Sequence, residues 1–222
     1  MMRLASLGQV ALIAAILAYL GAVYVMPSQV WMGFTINALA MTIVALSWNV
    51  TGGFGGMSSF GHAAMYGTGA YASAVLQVQF GVNAWLAFGA GIMAGALMGG
   101  FVGALSFRYG LKGSYFALVT LAFAEVLRIC AASFDITGGG RGLQLAIEPG
   151  VAALQFNKDR VLTYTLLLAI VAVVMALTAW LKYSRFGAYL VAVRENEDAA
   201  RALGIGTYRV KVIAMAISGA FG

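Results

Sequence analysis

Apolar positions in this chain come in long unbroken runs, not in alternation. Runs at about 7–26, 31–50, 60–80, 84–106, 113–133 and 161–181 each approach the roughly 20 residues that a helix needs to cross a hydrocarbon core about 30 Å thick. A further run starts near Val210 and reaches Gly222, too short to cross. The pattern predicts an all-α, polytopic transmembrane bundle of about six full spans plus the start of a seventh, one domain over 1–222. The chain therefore reads as cut off within a helix. A β-barrel would show strictly alternating segments of about ten residues, and none is present. The first run follows Arg3 as a signal peptide would, but it is too long for a signal core and a second run begins soon after Pro27, so it reads as a retained span.

The longest polar interruption with readable local structure is 184–209, which carries more than half a dozen charges and so belongs in water or against a soluble partner. Asn196 suits a helix N-cap. Glu197 and Asp198 follow in the first turn, where the helix dipole favours acids. Ala199, Ala200, Ala202 and Leu203 favour helix, and Gly204 can end it in the left-handed conformation. Thr207 can then cap the last membrane helix. The expectation is a short cytoplasmic helix bracketed by turns, either solvated or presented to another protein.

Composition sharpens this picture. Apolar residues make up 62% of the chain and charged residues 9%, against norms of about 45–50% and 25% for soluble domains, so the bilayer is its solvent. One Cys excludes a disulfide framework and a Cys-based zinc site. One His and seven acids leave little for metal or acid–base chemistry, and no nucleophile, base and orienting group come together, which argues against an enzyme. The net charge of +6 is mostly topological. With the N-terminus in the cytoplasm, Arg3, Arg108, Lys112, Lys182, Arg185, Arg194, Arg201, Arg209 and Lys211 lie inside, whereas Arg141, Lys158 and Arg160 lie outside. No basic patch with interleaved aromatics suggests nucleic acid.

Two glycine patterns and two polar features stand out. Gly91, Gly95, Gly99 and Gly103 recur every four residues and predict close helix packing, inside one bundle or at a dimer seam. Gly52, Gly53, Gly55, Gly56 and Gly61 cluster before His62, and predict either a broken, re-entrant segment or an interfacial loop. Gly53, Gly55, Gly56 and His62 are candidate path or gate residues, with a hydrogen-bonded structural histidine as the plainer role for His62. Glu125 and Arg128 share a helix face within a span. They are read as a path or gate group, or as an ion pair buried between helices with Arg128 reaching outward.

Asp198-Ala199-Ala200-x-x-x-Gly204 resembles the EAA-x-x-x-G loop of bacterial ABC importer permeases, with Asp for Glu. The wider string Ser184-Arg185-Phe186-Gly187 … Arg194-Glu195-Asn196-Glu197 … Ala199-Ala200-Arg201-Ala202-Leu203-Gly204-Ile205 resembles the branched-chain amino acid permease family of ABC transporters. Gly61-His62-Ala63-Ala64 … Gly67-x-Gly69-Ala70-Tyr71, Tyr115-Phe116-Ala117-Leu118-Val119-Thr120-Leu121-Ala122 and Thr137-Gly138-Gly139 fit it too. The resemblance implies a multi-pass permease of the bacterial inner membrane that imports branched-chain or other neutral amino acids. A homologous second permease, two ABC ATPase subunits and a periplasmic binding protein are the implied partners. It also implies that Arg194, Glu195, Asn196, Glu197, Asp198, Ala199, Ala200 and Gly204 couple to the ATPases. The chain carries no P-loop, so ATP and Mg would be bound by the partners, with no cofactor or metal of its own. Urea or short amides are alternative substrates within the family. A stand-alone secondary transporter or channel, or a non-transporting assembly partner, is the alternative outside it.

Overall fold

The computed structural model describes residues 29–145 and 160–222, with Gly21. Eight α-helices make up most of this part: α1 Gln29–Trp48, α2 His62–Phe80, α3 Ala84–Arg108, α4 Gly113–Ser133, α5 Arg160–Tyr183, α6 Arg185–Glu195, α7 Glu197–Ala202 and α8 Thr207–Phe221. Among the described residues there is no strand. Four segments are long and apolar enough to cross a bilayer: Val30–Phe54, α3, α4 and α5. The run expected at 7–26 lies outside the described residues. The run expected at 60–80 is α2, a 19-residue helix whose apolar content is diluted by Thr68, Ser73, Gln77 and Gln79.

α3 makes the most extensive contacts, with α8 on one side and α2 on the other. The glycine stripe explains why. A Cβ on Gly95 would lie 2.3 Å from the Gly219 carbonyl oxygen, and one on Gly99 the same distance from that of Met215. Gly91 meets the Gly69 carbonyl of α2 less tightly, at 2.9 Å, and Gly103 meets the Met215 side chain. Backbones touch here because side chains are missing, which supplies the dispersion contact that lipid cannot replace. α1 instead packs on α5 through Met32, Leu39, Tyr164 and Val171.

α2 is short for a reason visible in its register. Gly69 faces Gly91 and the Met65 carbonyl faces Gly95, so the start of α2 at His62 falls about ten residues short of the end of α3, about 15 Å up the bundle at 1.5 Å per residue. The space beneath is filled from later in the chain. Leu190 and Val193 of α6 join Met57, Met65, Val102, Phe116 and Met215 in one buried apolar cluster. α6 can enter because the α5–α6 corner is tight. The Ser184 hydroxyl accepts the Gly187 N–H (3.1 Å), and a Cβ on Gly187 would lie 2.2 Å from the Leu181 carbonyl oxygen.

Candidate functional site

α1 does not end in a plain cap. Its last turns widen into a π-helical stretch, Asn49–Phe54, followed by an irregular link to His62. π-helical turns are rare and concentrate at functional positions. Here the glycines permit it. A Cβ on Gly52 would meet the Trp48 ring at 2.6 Å, and Gly56 sits at φ +63°. The Trp48 indole N–H donates to the Ser59 carbonyl (2.9 Å), and the Phe60 N–H donates to the Thr120 hydroxyl (3.1 Å), so the end of the link before His62 is tied to α1 and to α4.

A buried polar node secures the break to α8. The Ser47 hydroxyl donates to the Ser218 carbonyl and the Ser218 hydroxyl to the Ser47 carbonyl, each at 2.6 Å. Both hydroxyl protons are thereby used, so at 2.7 Å His62 Nε2 must be the donor to Ser218 Oγ. This assigns the Nε2–H tautomer and leaves His62 Nδ1 buried without a hydrogen-bond partner among the described residues. Ser218 lies eleven residues into α8, about 16 Å from Thr207 along the axis. The break thus lies within the height of the bundle.

The polar segment contacts this break directly. Arg194 Nη1 donates to the Gly53 carbonyl (3.0 Å), and its Nε and Nη2 pair with Glu195 at 3.0 and 2.6 Å. The stem of Arg194 crosses Gly56, where a Cβ would fall 2.5 Å from Cγ, and Leu190 approaches Gly55. Two sets of residues far apart in sequence are therefore one structure. Glu125 and Arg128 are not part of it. They form a hydrogen-bonded pair (2.9 and 2.6 Å) on the outer side of α4, exposed and not buried between helices of the described chain.

Beyond Arg194 the chain turns into α7. The Asn196 side chain accepts from the N–H groups of Asp198 (3.1 Å) and Ala199 (3.0 Å). Ala200 is the buried residue of this helix, and Gly204 at φ +83° ends it. Gly206, not Thr207, occupies the cap of α8, with Thr207 buried in its first turn. One carboxylate fixes α7 to the bundle. Glu197 Oε2 binds Lys211 of α8 (2.7 Å) and Lys112 before α4 (2.9 Å), while Oε1 binds Arg201 (3.2 Å). Lys211 Nζ also lies over the Phe107 ring, 5.4 Å from its centre. Asp198, by contrast, points into solvent. Glu197, Lys112, Lys211, Arg201 and Phe107 line a cavity of about 370 Å³ between α7, the α3–α4 turn and α8.

Burial alone would raise the Glu197 carboxyl. Hydrogen bonds and charge from Lys211 and Lys112 outweigh it and hold the group down at about 2. A lowered pKa means that the clamp contributes its full stability above the ordinary carboxylate value near 4.5 and loses it as pH falls through about 2. Amide exchange in 196–204 is therefore expected to stay equally protected from neutral to mildly acidic pH. Protection that fades already near pH 6 would contradict the clamp.

Sequence reasoning missed the partners of Glu197. Lys112 and Lys211 were legible only as charges that set topology. Ser47 and Ser218 carried no signal at all, and Thr120 only as part of a motif string, because each matters through a residue far away in the chain.

The described part is thus a polytopic membrane helix bundle with a small polar helix clamped at one end. The sequence profile of the family described as branched-chain amino acid transport system, permease component, matches residues 30–222, and the chain belongs to that family. It is 33% identical over 204 residues to the high-affinity branched-chain amino acid transport system permease protein LivM of Escherichia coli, and 31% identical over 203 residues to that of Salmonella typhimurium. A probable branched-chain amino acid transport permease protein LivM of Methanocaldococcus jannaschii is 28% identical over 217 residues. Each match covers 81% of this chain, but the chain spans only 47% of the first two relatives and 61% of the third. No solved structure matches it.

Proposed function

We propose that this chain is the membrane-spanning permease of a binding-protein-dependent ABC importer that moves branched-chain or other neutral amino acids into the cytoplasm. A second permease of the same fold completes the pore, two ATPase subunits hydrolyse ATP below it, and a periplasmic protein delivers the substrate above. The observation that carries this reading is α7: a capped six-residue helix, with Asp198 in solvent, held to the bundle by Glu197 and continuous with the Arg194 contact to the helix break. A helix of this kind is a handle. Movement of an ATPase gripping it would reach α8 through Glu197–Lys211 and the break through Arg194–Gly53. The break and His62 would then change their hold on α8, switching access from one face to the other. The excess of Lys and Arg at the end that carries α7 supports placing that end, and the N-terminus, in the cytoplasm of the bacterial inner membrane.

Bulky replacements of Asp198 or Gly204 in the full-length protein test the reading. They are expected to abolish co-purification of the ATPase subunits or to uncouple ATP hydrolysis from uptake, while the permease itself still inserts. Normal uptake and normal ATPase retention would refute the assignment. Substrate identity is read by competition: leucine, isoleucine and valine should displace one another from uptake, whereas selective displacement by urea or acetamide would move the substrate to that class.

A further inference from the structure

Two helices that border the cavity at the polar end stop in the same way. After α3 the Leu111 N–H donates to the Ser106 carbonyl (3.2 Å) and the Gly110 N–H to that of Phe107 (3.1 Å), with Gly110 at φ +69°. After α7 the Ile205 N–H donates to the Ala200 carbonyl (3.1 Å) and the Gly204 N–H to that of Arg201 (3.0 Å), with Gly204 at φ +83°. Both are Schellman stops, which fix the path of the chain as it leaves the helix. They hold Lys112 and Arg201 at the rim of the cavity, with side chains 60% and 63% exposed, whereas Lys211 and Glu197 form its floor, at 10% and 16%.

The cavity holds more positive charge than its clamp uses. Lys112, Arg201 and Lys211 line it against the single carboxylate of Glu197. The next acid, Asp198, stands 3.9 Å from Arg201 in solvent and outside the lining. An ammonium has three donors and a guanidinium five. Glu197 takes one contact from each of the three cations, and Lys211 also rests on the Phe107 ring. Among the described residues, Glu197 is the one hydrogen-bond acceptor that the Lys112 ammonium and the Arg201 guanidinium reach. The remaining donors sit at the rim, and that rim lies where two apolar spans stop, Ala84–Arg108 and Gly113–Ser133. Tyr109, in the turn between them, is 74% exposed. Span ends that carry Lys, Arg and Tyr sit at the depth of the lipid headgroups, and basic pockets between helices at that depth bind anionic headgroups.

We propose that this cavity is a binding site for the phosphate of an anionic phospholipid, held at the rim by Lys112 and Arg201 above the Glu197–Lys211 pair. Soluble phosphate offers the same oxygens, but a lipid is already confined at the depth of the rim. The bound headgroup bridges the α3–α4 turn to α7, so the anionic lipid content of the membrane sets how firmly α7 is fixed. This inference rests on the membrane-spanning assignment and not on ATPase docking or on what is transported, and it is tested without nucleotide or substrate.

The full-length protein with its co-purifying subunits is placed in vesicles of phosphatidylcholine alone, or of phosphatidylcholine with phosphatidylglycerol, and amide exchange is followed in 109–112 and 196–204. Phosphatidylglycerol is expected to slow exchange several-fold in both segments. The double variant Lys112→Gln, Arg201→Gln should lose the difference between the two vesicles. Comparing vesicles within one variant separates the effect of the lipid from a weaker clamp. Lys182→Gln, which removes a charge in the last turn of α5 and outside the cavity, should keep the full difference. Native mass spectrometry of the unaltered protein should show phosphatidylglycerol retained in preference to phosphatidylcholine, and Lys112→Gln alone should reduce that retention. Exchange indifferent to phosphatidylglycerol, or an equal loss of response in Lys182→Gln, overturns the proposal. Equal slowing by inorganic phosphate in phosphatidylcholine vesicles overturns the lipid assignment in favour of a soluble anion.

Discussion

Replacing Glu197 with alanine is expected to be the most damaging single change in the polar segment, costing about 3 kcal/mol or more of stability. The residue looks like one of several acids on a solvated loop, and removing a surface partner ordinarily costs under about 1 kcal/mol. Lys211, however, is nearly buried, with a side chain only 10% exposed. Taking away its carboxylate strands an ammonium in an apolar setting, and breaking a buried pair from one side costs about 3–5 kcal/mol. Replacing both partners with apolar residues of similar size avoids that penalty. Thermal unfolding of the detergent-purified protein should therefore show Glu197→Ala strongly destabilised and the double variant Glu197→Leu, Lys211→Met largely restored. Asp198→Ala, in solvent, should leave the transition where it was. An unchanged transition in Glu197→Ala would mean that the clamp holds nothing.

Gly95→Ala is the second substitution expected to act strongly. One methyl group is added, yet its carbon would lie 2.3 Å from the Gly219 carbonyl oxygen, where no side chain can swing aside. Overpacking of a tight contact costs about 1–3 kcal/mol, and more when backbone must move. About 3 kcal/mol is expected, read as lost α3–α8 association and a lower unfolding temperature. Gly89→Ala, on the same helix with nothing within 4 Å of its new Cβ, should be neutral or gain up to about 1 kcal/mol from helix propensity. Equal behaviour of the two variants would show that the stripe is not in contact.

What the sequence revealed depended on how local the physics was. The caps of α7, its acidic first turn and its glycine stop all act within a few residues, so Asn196, Glu197 and Gly204 could be assigned roles from spacing alone. The glycine stripe was equally plain as a surface, but its occupants, Gly69, Gly219 and Met215, were not. The cluster from Gly52 to His62 left open whether the chain looped at the interface or broke within the membrane. The register of α2 on α3, set by Gly69 against Gly91, and the bonds from Ser47 and His62 to Ser218 put the break about 15 Å up the bundle. The pairing of Glu125 with Arg128 was implicit in a three-residue step, whereas their outward direction depends on which side of α4 carries Phe116 and Thr120.

The half-height start of α2 has a bearing on biogenesis. A chain emerges from the ribosome N-terminus first, and early segments wait for later ones. α2 and the glycine break are made long before Leu190, Arg194 and Ser218, the residues that fill the space beneath them and satisfy the Gly53 carbonyl and the His62 ring. Until Arg194 and then Ser218 have been synthesised, the Gly53 carbonyl and the His62 ring lack the partners they hold in the folded protein. Some attendant of the insertion machinery, or a column of water, has to stand in for the missing helices during that interval.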